Sequence, residues 1–522
     1  MLPTAGPPAH LADSRWAGLG RPLSELTETW NRLGLVVAAL VGAGVLGSAA
    51  GRSPYAVALG LVGAVLAVLV LRRPVAAALV ALFVLYSNAA VVAVNVHGVP
   101  GVAARLPVLL LVVPLIRDLL MRRERVQWSP ATTWAAVFSL AYLTSAALSP
   151  TVSDTSEAVI TLLVEGLGLF LVLSNVIRDV AVLRLCLAAV VCAGAFVASL
   201  SVLQFVTGNY WRDFLGMAQI NDAFVAGSAD WLLYADGAVP EGQPRLAGPI
   251  GEANFYALVL VVLLPYAIYL FRTSRTLLER LVWAGATTCL LGGVLLTYSR
   301  GALLAMTATV VVLALLRVIP RNSLLWLAGV GAAALALVPD LGSRVGELST
   351  ALHLNNSSAS GQVADAAARG RFSEMVAGLK VFSDYPVLGV GPEQFPAYFQ
   401  AYAGNVGGGV HVGDGERQAH NLLIGLAAET GIIGLVAFLG LATSIVVPLV
   451  VLRRDRSIAP LPTAALASLM LFGCASMFLH MAFLRYMWMH LALAAAVAVV
   501  CRRAAEDPAA SGSAVRLRGA VP

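Results

Sequence analysis

Residues 181–207 form the apolar run AVLRLCLAAVVCAGAFVASLSVLQFVT, in which Arg184 is the only charged residue. A membrane-spanning helix needs about 20 mostly apolar residues, so this run is long enough to cross a bilayer. Similar runs occupy most of the 522-residue chain, of which 59% is apolar and 12% charged, with a mean hydropathy of +0.84. A soluble domain carries about twice that charged fraction. The composition therefore excludes a soluble enzyme with a single anchor, and the net charge of +6 does not indicate nucleic-acid binding.

The apolar runs predict an all-α polytopic membrane protein with about 14, and at least about 12, transmembrane helices. Clusters of arginine follow even-numbered spans, which places both chain termini in the cytoplasm, because basic loops stay on that side. The predicted spans are 33–50, 54–71, 75–96, 101–119, 130–149, 157–177, 181–207, 251–271, 281–297, 302–317, 323–338, 421–452, 463–482 and 485–501.

Two long connections fall on the outer side of this topology, and both are net acidic. Connections of that length without apolar runs of their own are usually functional, and short amphipathic helices are expected in the second one. The predicted divisions are a cytoplasmic tail (1–32), an N-terminal bundle (33–207), an outer loop (208–250), helices around a Ser-Arg-Gly turn (251–338), a large outer loop (339–419), C-terminal helices (420–501) and a cytoplasmic tail (502–522).

The sequence Tyr298-Ser299-Arg300 joins two short apolar runs on the outer side. Such short spans with almost no loop predict a turn that lies below the membrane surface, with Ser299 as the N-cap of the second helix. A buried arginine beside a helix N-terminus is a natural phosphate site. The alternative is an interfacial Arg300 whose side chain merely extends to water.

Two further outer-side segments carry arginine. Arg245 precedes a helix start at Glu252 and Asn254, where it could reach a phosphate while Glu252 or Asn254 reaches a sugar hydroxyl. Alternatively, Glu252 only compensates the helix dipole. Arg369 and Arg371 precede apolar residues at helical spacing, which predicts an amphipathic helix at the outer membrane interface, or else a helix that packs over the bundle.

His420 and Asn421 stand where the large outer loop re-enters the membrane, and Glu429 follows nine residues later. A neutral imidazole there could accept the proton of an attacking hydroxyl. Glu429 would lie on the opposite side of a continuous helix, so it is not expected to be the partner of His420 unless the helix breaks. Helix capping is the alternative role of His420.

Taken together, these motifs resemble the bacterial O-antigen ligase and O-antigen polymerase family. The similarity covers about residues 245–440 and rests on the order and spacing of short motifs. They are Arg245-Leu246-Ala247-Gly248 with Glu252-Ala253-Asn254, Ser299-Arg300-Gly301, Arg369-Gly370-Arg371-Phe372, Tyr385-Pro386-Val387-Leu388-Gly389-Val390-Gly391, His420-Asn421, and Glu429-Thr430-Gly431 with Gly434-Leu435. Glu252-Ala253 departs from the Asn-Pro that is common in the family.

The resemblance implies a metal-independent, GT-C-like glycosyltransferase without a cofactor. Its donor would be a glycan linked to polyprenyl diphosphate, and its acceptor a glycan, lipid or protein. Arg300 and one of Arg369 and Arg371 would hold the diphosphate, helped by Arg245, and His420 would be the base. Ser299, Asn254, Asn421 and Glu429 are the expected substrate contacts.

The expected setting is the bacterial inner membrane, with the active site on the extracytoplasmic face. A flippase or exporter of lipid-linked glycans is the alternative from another functional class. A carrier should place charges or broken helices near the middle of the membrane, accessible from both sides, whereas the candidate residues here cluster on the outer face.

Overall fold

The computed structural model describes residues 74–120, 125–149, 155–221, 244–317, 319–337, 359–403, 418–477, 479 and 485–506. The predicted spans 33–50 and 54–71, the tail 1–32 and most of the tail 502–522 lie outside the described residues. Residues 78–115 and 126–522 form one compact unit, to which the site described below belongs. The other unit, 1–77 with 116–125, includes the first turn of α1, the end of α3 and Arg125 among the described residues.

Helices make up nearly all of the described chain. They are α1 (Pro74–Tyr86), α2 (Ala89–His97), α3 (Leu106–Leu120), α4 (Pro130–Ala147), α5 (Ser156–Thr161), α6 (Leu169–Val176), α7 (Val180–Thr207), α8 (Ala253–Val261), α9 (Leu264–Arg272), α10 (Leu277–Leu296), α11 (Arg300–Leu315), α12 (Ser323–Leu337), α13 (Ala359–Asp384), α14 (Phe395–Ala403), α15 (Leu422–Leu452), α16 (Pro460–Ser476) and α17 (Arg485–Glu506). A 3₁₀-helix (Gly101–Ala104) precedes α3, and a π-helix (Leu162–Gly168) joins α5 to α6.

The described ends of the predicted outer loop 208–250 contribute a short antiparallel ribbon, which an all-α expectation does not include. Strand β1 (Gln219–Asn221) pairs with strand β2 (Arg245–Gly248), and Ile220 lies opposite Leu246. Strands this short give little signal in a sequence, because period-two alternation needs about four to eight residues to become visible.

Six helical segments among the described residues are long and apolar enough to cross a membrane, or seven if the bent pair α1 and α2 is counted as one span. Helices α11 and α16 are apolar but shorter. The prediction of a mostly helical, multi-pass membrane protein is confirmed, and the count of 14 stays a prediction. The six segments are Ser156–Val176, Val180–Thr207, Ala253–Arg272, Leu277–Leu296, Leu422–Leu452 and Arg485–Glu506.

Polar residues in the loops fix where several helices begin. Ser129 forms a reciprocal capping box with Thr132 at the start of α4, where Pro130 occupies the first turn. The Asp179 carboxylate accepts from the backbone N–H of Val182 (2.9 Å) and caps α7. Each cap satisfies a helical N–H group that would otherwise lack a partner, so these residues determine where the apolar segments enter the bundle.

The predicted span 75–96 is broken in the middle. Helices α1 and α2 meet at an angle of 52°, and Asn88 between them has a φ of 60°, in the left-handed region that asparagine tolerates better than most residues. Its side-chain amide donates to the carbonyl of Pro249 (2.8 Å), and its side-chain oxygen accepts from Arg485. The break therefore places a polar group inside the bundle, where it joins two distant parts of the chain.

A buried ion pair lies next to this break. Arg485, at the start of α17, is 3.5 Å from the carboxylate of Glu165, which belongs to the π-helix, and both side chains are largely buried. A charged side chain inside an apolar bundle is costly unless it is paired, so Arg485 has to hold Glu165 and Asn88 together for either to be tolerated.

Replacement of Arg485 by alanine should destabilise the protein by about 3–5 kcal/mol, because it leaves a buried carboxylate without its cation. The measurement is thermal unfolding of the purified protein in detergent. Arg280→Ala is the matched control, since Arg280 is exposed at the start of α10. If the two variants unfold at the same temperature, the ion pair contributes nothing to stability.

Candidate active site

A tight, buried turn joins α10 to α11. Tyr298 adopts a φ of 51°, and the side chains of Thr297 and Ser299 are almost completely buried. The Ser299 hydroxyl accepts from the backbone N–H of Ala302 (3.4 Å), so Ser299 is the N-cap of α11, as the sequence predicts. The turn therefore lies inside the protein and directs the N-terminus of α11 into it.

Arg245 on β2 reaches the same turn and is 9% exposed. Its Nε donates to the carbonyl of Thr297 (2.8 Å), and its Nη2 donates to Asn254 Oδ1 (3.0 Å). The hydroxyl of Ser299 donates to the same Asn254 oxygen (3.0 Å). Asn254 therefore joins the ribbon, the start of α8 and the α10–α11 turn in one hydrogen-bonded unit.

Glu252 anchors this unit from its other side. Its carboxylate accepts from the backbone N–H of Phe255 (2.6 Å) as the N-cap of α8, and from the side-chain amide of Asn254 (2.8 Å). Glu252 thus compensates the N-terminus of α8, which was the alternative role in the sequence analysis. Glu252 also fixes the orientation of the Asn254 side chain. The NH2 group of Asn254 donates to Glu252, which leaves its oxygen for Arg245 and Ser299.

Two guanidinium groups and a helix N-terminus therefore flank one turn. Arg300 is the first residue of α11 and is partly buried, and Arg245 bonds to the carbonyl three residues before it. The first N–H groups of α11 add positive potential at the same place. We call Arg245, Asn254, Ser299 and Arg300 the arginine cluster; its chemistry is that of an anion site.

The second arginine pair lies on α13, a 26-residue helix where the sequence predicts an amphipathic one. Arg371 is partly buried, and the side chain of Arg369 lies outside the described part. The apolar residues Phe372 and Leu379 are 64% and 49% exposed. One face of α13 packs against the protein, and the other presents apolar residues outward. Exposed apolar residues agree with a position against lipid, which stays a prediction.

His420, which directly precedes the N-cap of α15, has a φ of 45°, an uncommon conformation for a residue with a side chain. Its Nδ1 lies 2.7 Å from Glu374 Oε2 on α13 and 3.0 Å from the carbonyl oxygen of Gln418. The His420 side chain is 34% exposed, whereas that of Glu374 is 1% exposed. The imidazole is thus held on its Nδ1 side and partly open. We call Glu374, Gln418 and His420 the histidine cluster.

Sequence reasoning did not find Glu374. It lies three residues after Arg371 and interrupts the apolar pattern of Phe372, Met375 and Val376. Residues three apart share a face of a helix, so Glu374 lies on the same face as Arg371. This carboxylate beside a candidate site residue was the available signal. The sequence could not show that this face meets the end of a loop almost fifty residues away.

Asn421 begins the helix α15, and Glu429 lies inside it. The Asn421 side-chain oxygen accepts from the N–H groups of Leu423 (3.0 Å) and Ile424 (3.1 Å), and its amide donates to the carbonyl of Met477 (3.2 Å). It is the N-cap of α15. Glu429 is completely buried within α15 and, as expected, the carboxylate beside His420 is a different one. Substrate contacts by either residue stay predictions.

The backbone of α15 breaks at Gly431, which has φ 64° and ψ −166°, values that glycine alone adopts readily. The break frees backbone groups that pair with the turn after α13: Val390 N–H donates to Ala428 O (3.0 Å), and Ile432 N–H donates to Pro386 O (2.8 Å). The Tyr385–Gly391 and Glu429–Gly431 motifs are therefore two halves of one backbone contact.

Apolar packing holds the histidine cluster in place. Ala377 and Val381 on α13 pack in one buried cluster with Phe395 and Phe399 on α14, and with Ala419 beside His420. The Tyr402 hydroxyl on α14 donates to Asp384 Oδ2 (2.6 Å) at the end of α13. This bond raises the pKa of Tyr402 to about 12, and it fixes α14 against α13.

Residues 285–439 match the family model described as O-antigen ligase. This segment of the chain is similar to the O-antigen ligase family. The matched segment contains Arg300, Arg371, Glu374 and His420, and it confirms the resemblance found in the sequence motifs; Arg245 and Asn254 precede it. No curated protein matches the chain.

Replacement of Gly431 in the matched segment by alanine should destabilise the protein by at least about 1–3 kcal/mol, the usual cost of a strained backbone conformation. A Cβ at Gly431 would also lie 2.2 Å from the carbonyl oxygen of Val387. Gly473→Ala is the control, because Gly473 lies within α16 and a Cβ there meets no atom within 4 Å. Thermal unfolding checks this; equal unfolding temperatures would contradict the break at Gly431.

Proposed function

We propose that this O-antigen ligase domain protein is a multi-pass glycosyltransferase of the bacterial inner membrane. It transfers or polymerises a polyprenyl diphosphate-linked glycan onto an acceptor hydroxyl at the extracytoplasmic face, in the synthesis of a cell-surface polysaccharide. The family match supports glycan transfer in polysaccharide biosynthesis, and the apolar helices support the membrane setting. Ligase and polymerase activities both fall within the proposal, since both break the same bond of the donor.

The observation that carries the proposal is the arginine cluster. When the bond between the sugar and the diphosphate breaks, negative charge builds up on the diphosphate. Positive groups that are already in place therefore accelerate its departure. Arg245 is fixed by bonds to Thr297 and Asn254, and Arg300 stands at the N-terminus of the helix that follows. In the proposed mechanism these guanidinium groups hold the diphosphate without a metal ion, and Arg371 and Arg369 assist from α13.

The proposed reaction inverts the anomeric centre. The acceptor hydroxyl gives its proton to Nε2 of His420 while its oxygen forms a bond to the anomeric carbon. The bond between that carbon and the phosphate oxygen breaks, and polyprenyl diphosphate leaves with the electron pair. General-base catalysis of this kind contributes about 10²–10⁴ in rate. The products are the glycosylated acceptor and polyprenyl diphosphate, and His420 releases its proton to water afterwards.

Helix α16 supports the joint action of the two clusters. It packs against α11, which begins with Arg300, and against α15, which begins just after His420. The bond from Asn421 to the carbonyl of Met477 ties the end of α16 to the start of α15. A donor whose lipid tail lies between helices of a GT-C-like bundle would reach both clusters from the membrane.

A carrier of the same lipid-linked glycan is the second candidate. The bend at Asn88 and the buried pair of Arg485 and Glu165 are features that carriers also use. A carrier would move the donor across the membrane without breaking it, which separates the two functions in a single assay.

Arg300→Ala and His420→Ala should each lower the rate of donor consumption by at least about 100-fold, since one removes a fixed charge and the other a general base. The measurement is polyprenyl diphosphate released by purified protein in detergent from a polyprenyl diphosphate oligosaccharide with candidate acceptors. Arg300→Lys should recover part of the loss, because lysine keeps the charge but not the paired donors of arginine.

Arg280→Ala is the control, because Arg280 is exposed at the start of α10, at the end predicted to be cytoplasmic. Normal donor consumption by both active-site variants, at normal expression, would overturn the assignment of these residues. Transport of donor into vesicles without release of polyprenyl diphosphate would instead identify a carrier.

A further inference from the structure

The contacts of His420 determine which of its ring nitrogens carries the proton. Nδ1 lies 3.0 Å from the carbonyl oxygen of Gln418 and 2.7 Å from the carboxylate of Glu374. A backbone carbonyl accepts hydrogen bonds and cannot donate them. Nδ1 must therefore carry the proton in the neutral ring, which leaves the lone pair on Nε2. This is the tautomer in which Nε2 can act as a base.

The two oxygen atoms near Nδ1 have different effects on the neutral and the charged imidazole. The carbonyl of Gln418 is neutral, so it selects the tautomer but adds little when the ring becomes charged. Glu374 is 1% exposed, so the charge of its carboxylate is poorly screened by water. A carboxylate at 2.7 Å stabilises the imidazolium that forms when Nε2 takes a proton.

The position of Glu374 is set by backbone packing. Gly378 lies one turn further along α13, and a Cβ on it would be 2.6 Å from Cγ2 of Ile424 in α15. The absence of a side chain at Gly378 lets α13 approach the start of α15 closely enough for Glu374 to reach Nδ1. Ala377 and Ala419 are completely buried in the same contact.

We propose that Glu374 is a positioning residue for the transfer reaction. Its carboxylate lies beside Nδ1 and stabilises the positive charge that His420 acquires when it removes the proton of the acceptor, while the carbonyl of Gln418 accepts the Nδ1 hydrogen bond. A base whose second nitrogen faces a buried carboxylate is a general solution to proton transfer from a hydroxyl. This inference rests on the proposed function, in which His420 is the base.

The test is a double-mutant cycle on the full-length protein in detergent, with release of polyprenyl diphosphate as the readout. Glu374→Gln keeps the shape of the side chain and removes its charge. It should lower kcat by about 10², within the range that general-base catalysis contributes, and leave the KM for the donor within about twofold. Glu374→Asp keeps the charge at a longer distance and should recover part of the lost kcat.

The double variant Glu374→Gln with His420→Ala should be no slower than His420→Ala alone, because the carboxylate then has no imidazolium to stabilise. A residue that only maintains the fold would add its own loss to that of His420→Ala. Ser373→Ala is the control, since Ser373 is a buried neighbour on the same helix, and it should keep kcat within about twofold of the parent.

Three outcomes overturn the proposal: full kcat in Glu374→Gln, a loss confined to KM, or additive losses in the double variant. Failure of the proposed function is distinguishable from these, because His420→Ala would then retain normal activity. Full loss in His420→Ala together with full activity in Glu374→Gln would leave His420 as the base and remove Glu374 from the mechanism.

Discussion

A polar group inside an apolar helix bundle must find its partners within the protein, because hydrocarbon offers it no hydrogen bond. Two buried arginines follow this constraint. Arg485 lies between Glu165 and Asn88, and Arg245 between Thr297 and Asn254. Since each partner comes from a different element, each buried polar residue also joins elements that are distant in the chain. Arg485 and Arg245 thus help to fix the relative positions of the elements that they join.

The same constraint explains which features the sequence could predict. The apolar runs, the N-cap Ser299 and the helix at Arg371 are local properties, which a short window of sequence contains. The break at Gly431 and the partner of His420 depend on contacts between segments that are far apart. Glycine is common in transmembrane helices, so nothing local distinguished Gly431 from glycines that merely pack. Glu374 had a local signal, its place in an apolar helix, but its partner could be found only in three dimensions.

The family motifs acquire separate physical meanings in the structure. The motif around Gly389 and the one around Gly431 hold two backbone segments against each other. A Cβ on Gly389 would lie 2.3 Å from the carbonyl carbon of Glu429. The motifs at Arg245 and Ser299 instead converge on one amide, that of Asn254. Each of these short motifs supplies half of a contact, so each contact needs two motifs that are far apart in the chain. Their order and spacing carried more information than any single motif did.

The separation of the arginine cluster from the histidine cluster follows from the proposed chemistry. In an inverting displacement, the attacking oxygen and the leaving oxygen stand on opposite sides of the anomeric carbon. The group that takes the proton and the groups that hold the diphosphate therefore cannot belong to one compact set of side chains. Arg245 and Arg300 are held by β2, α8 and α11, whereas His420 is held by α13 and the start of α15. Distinct elements let each cluster be fixed by its own bonds, and α16, which contacts α11 and α15, joins the elements that carry the two clusters.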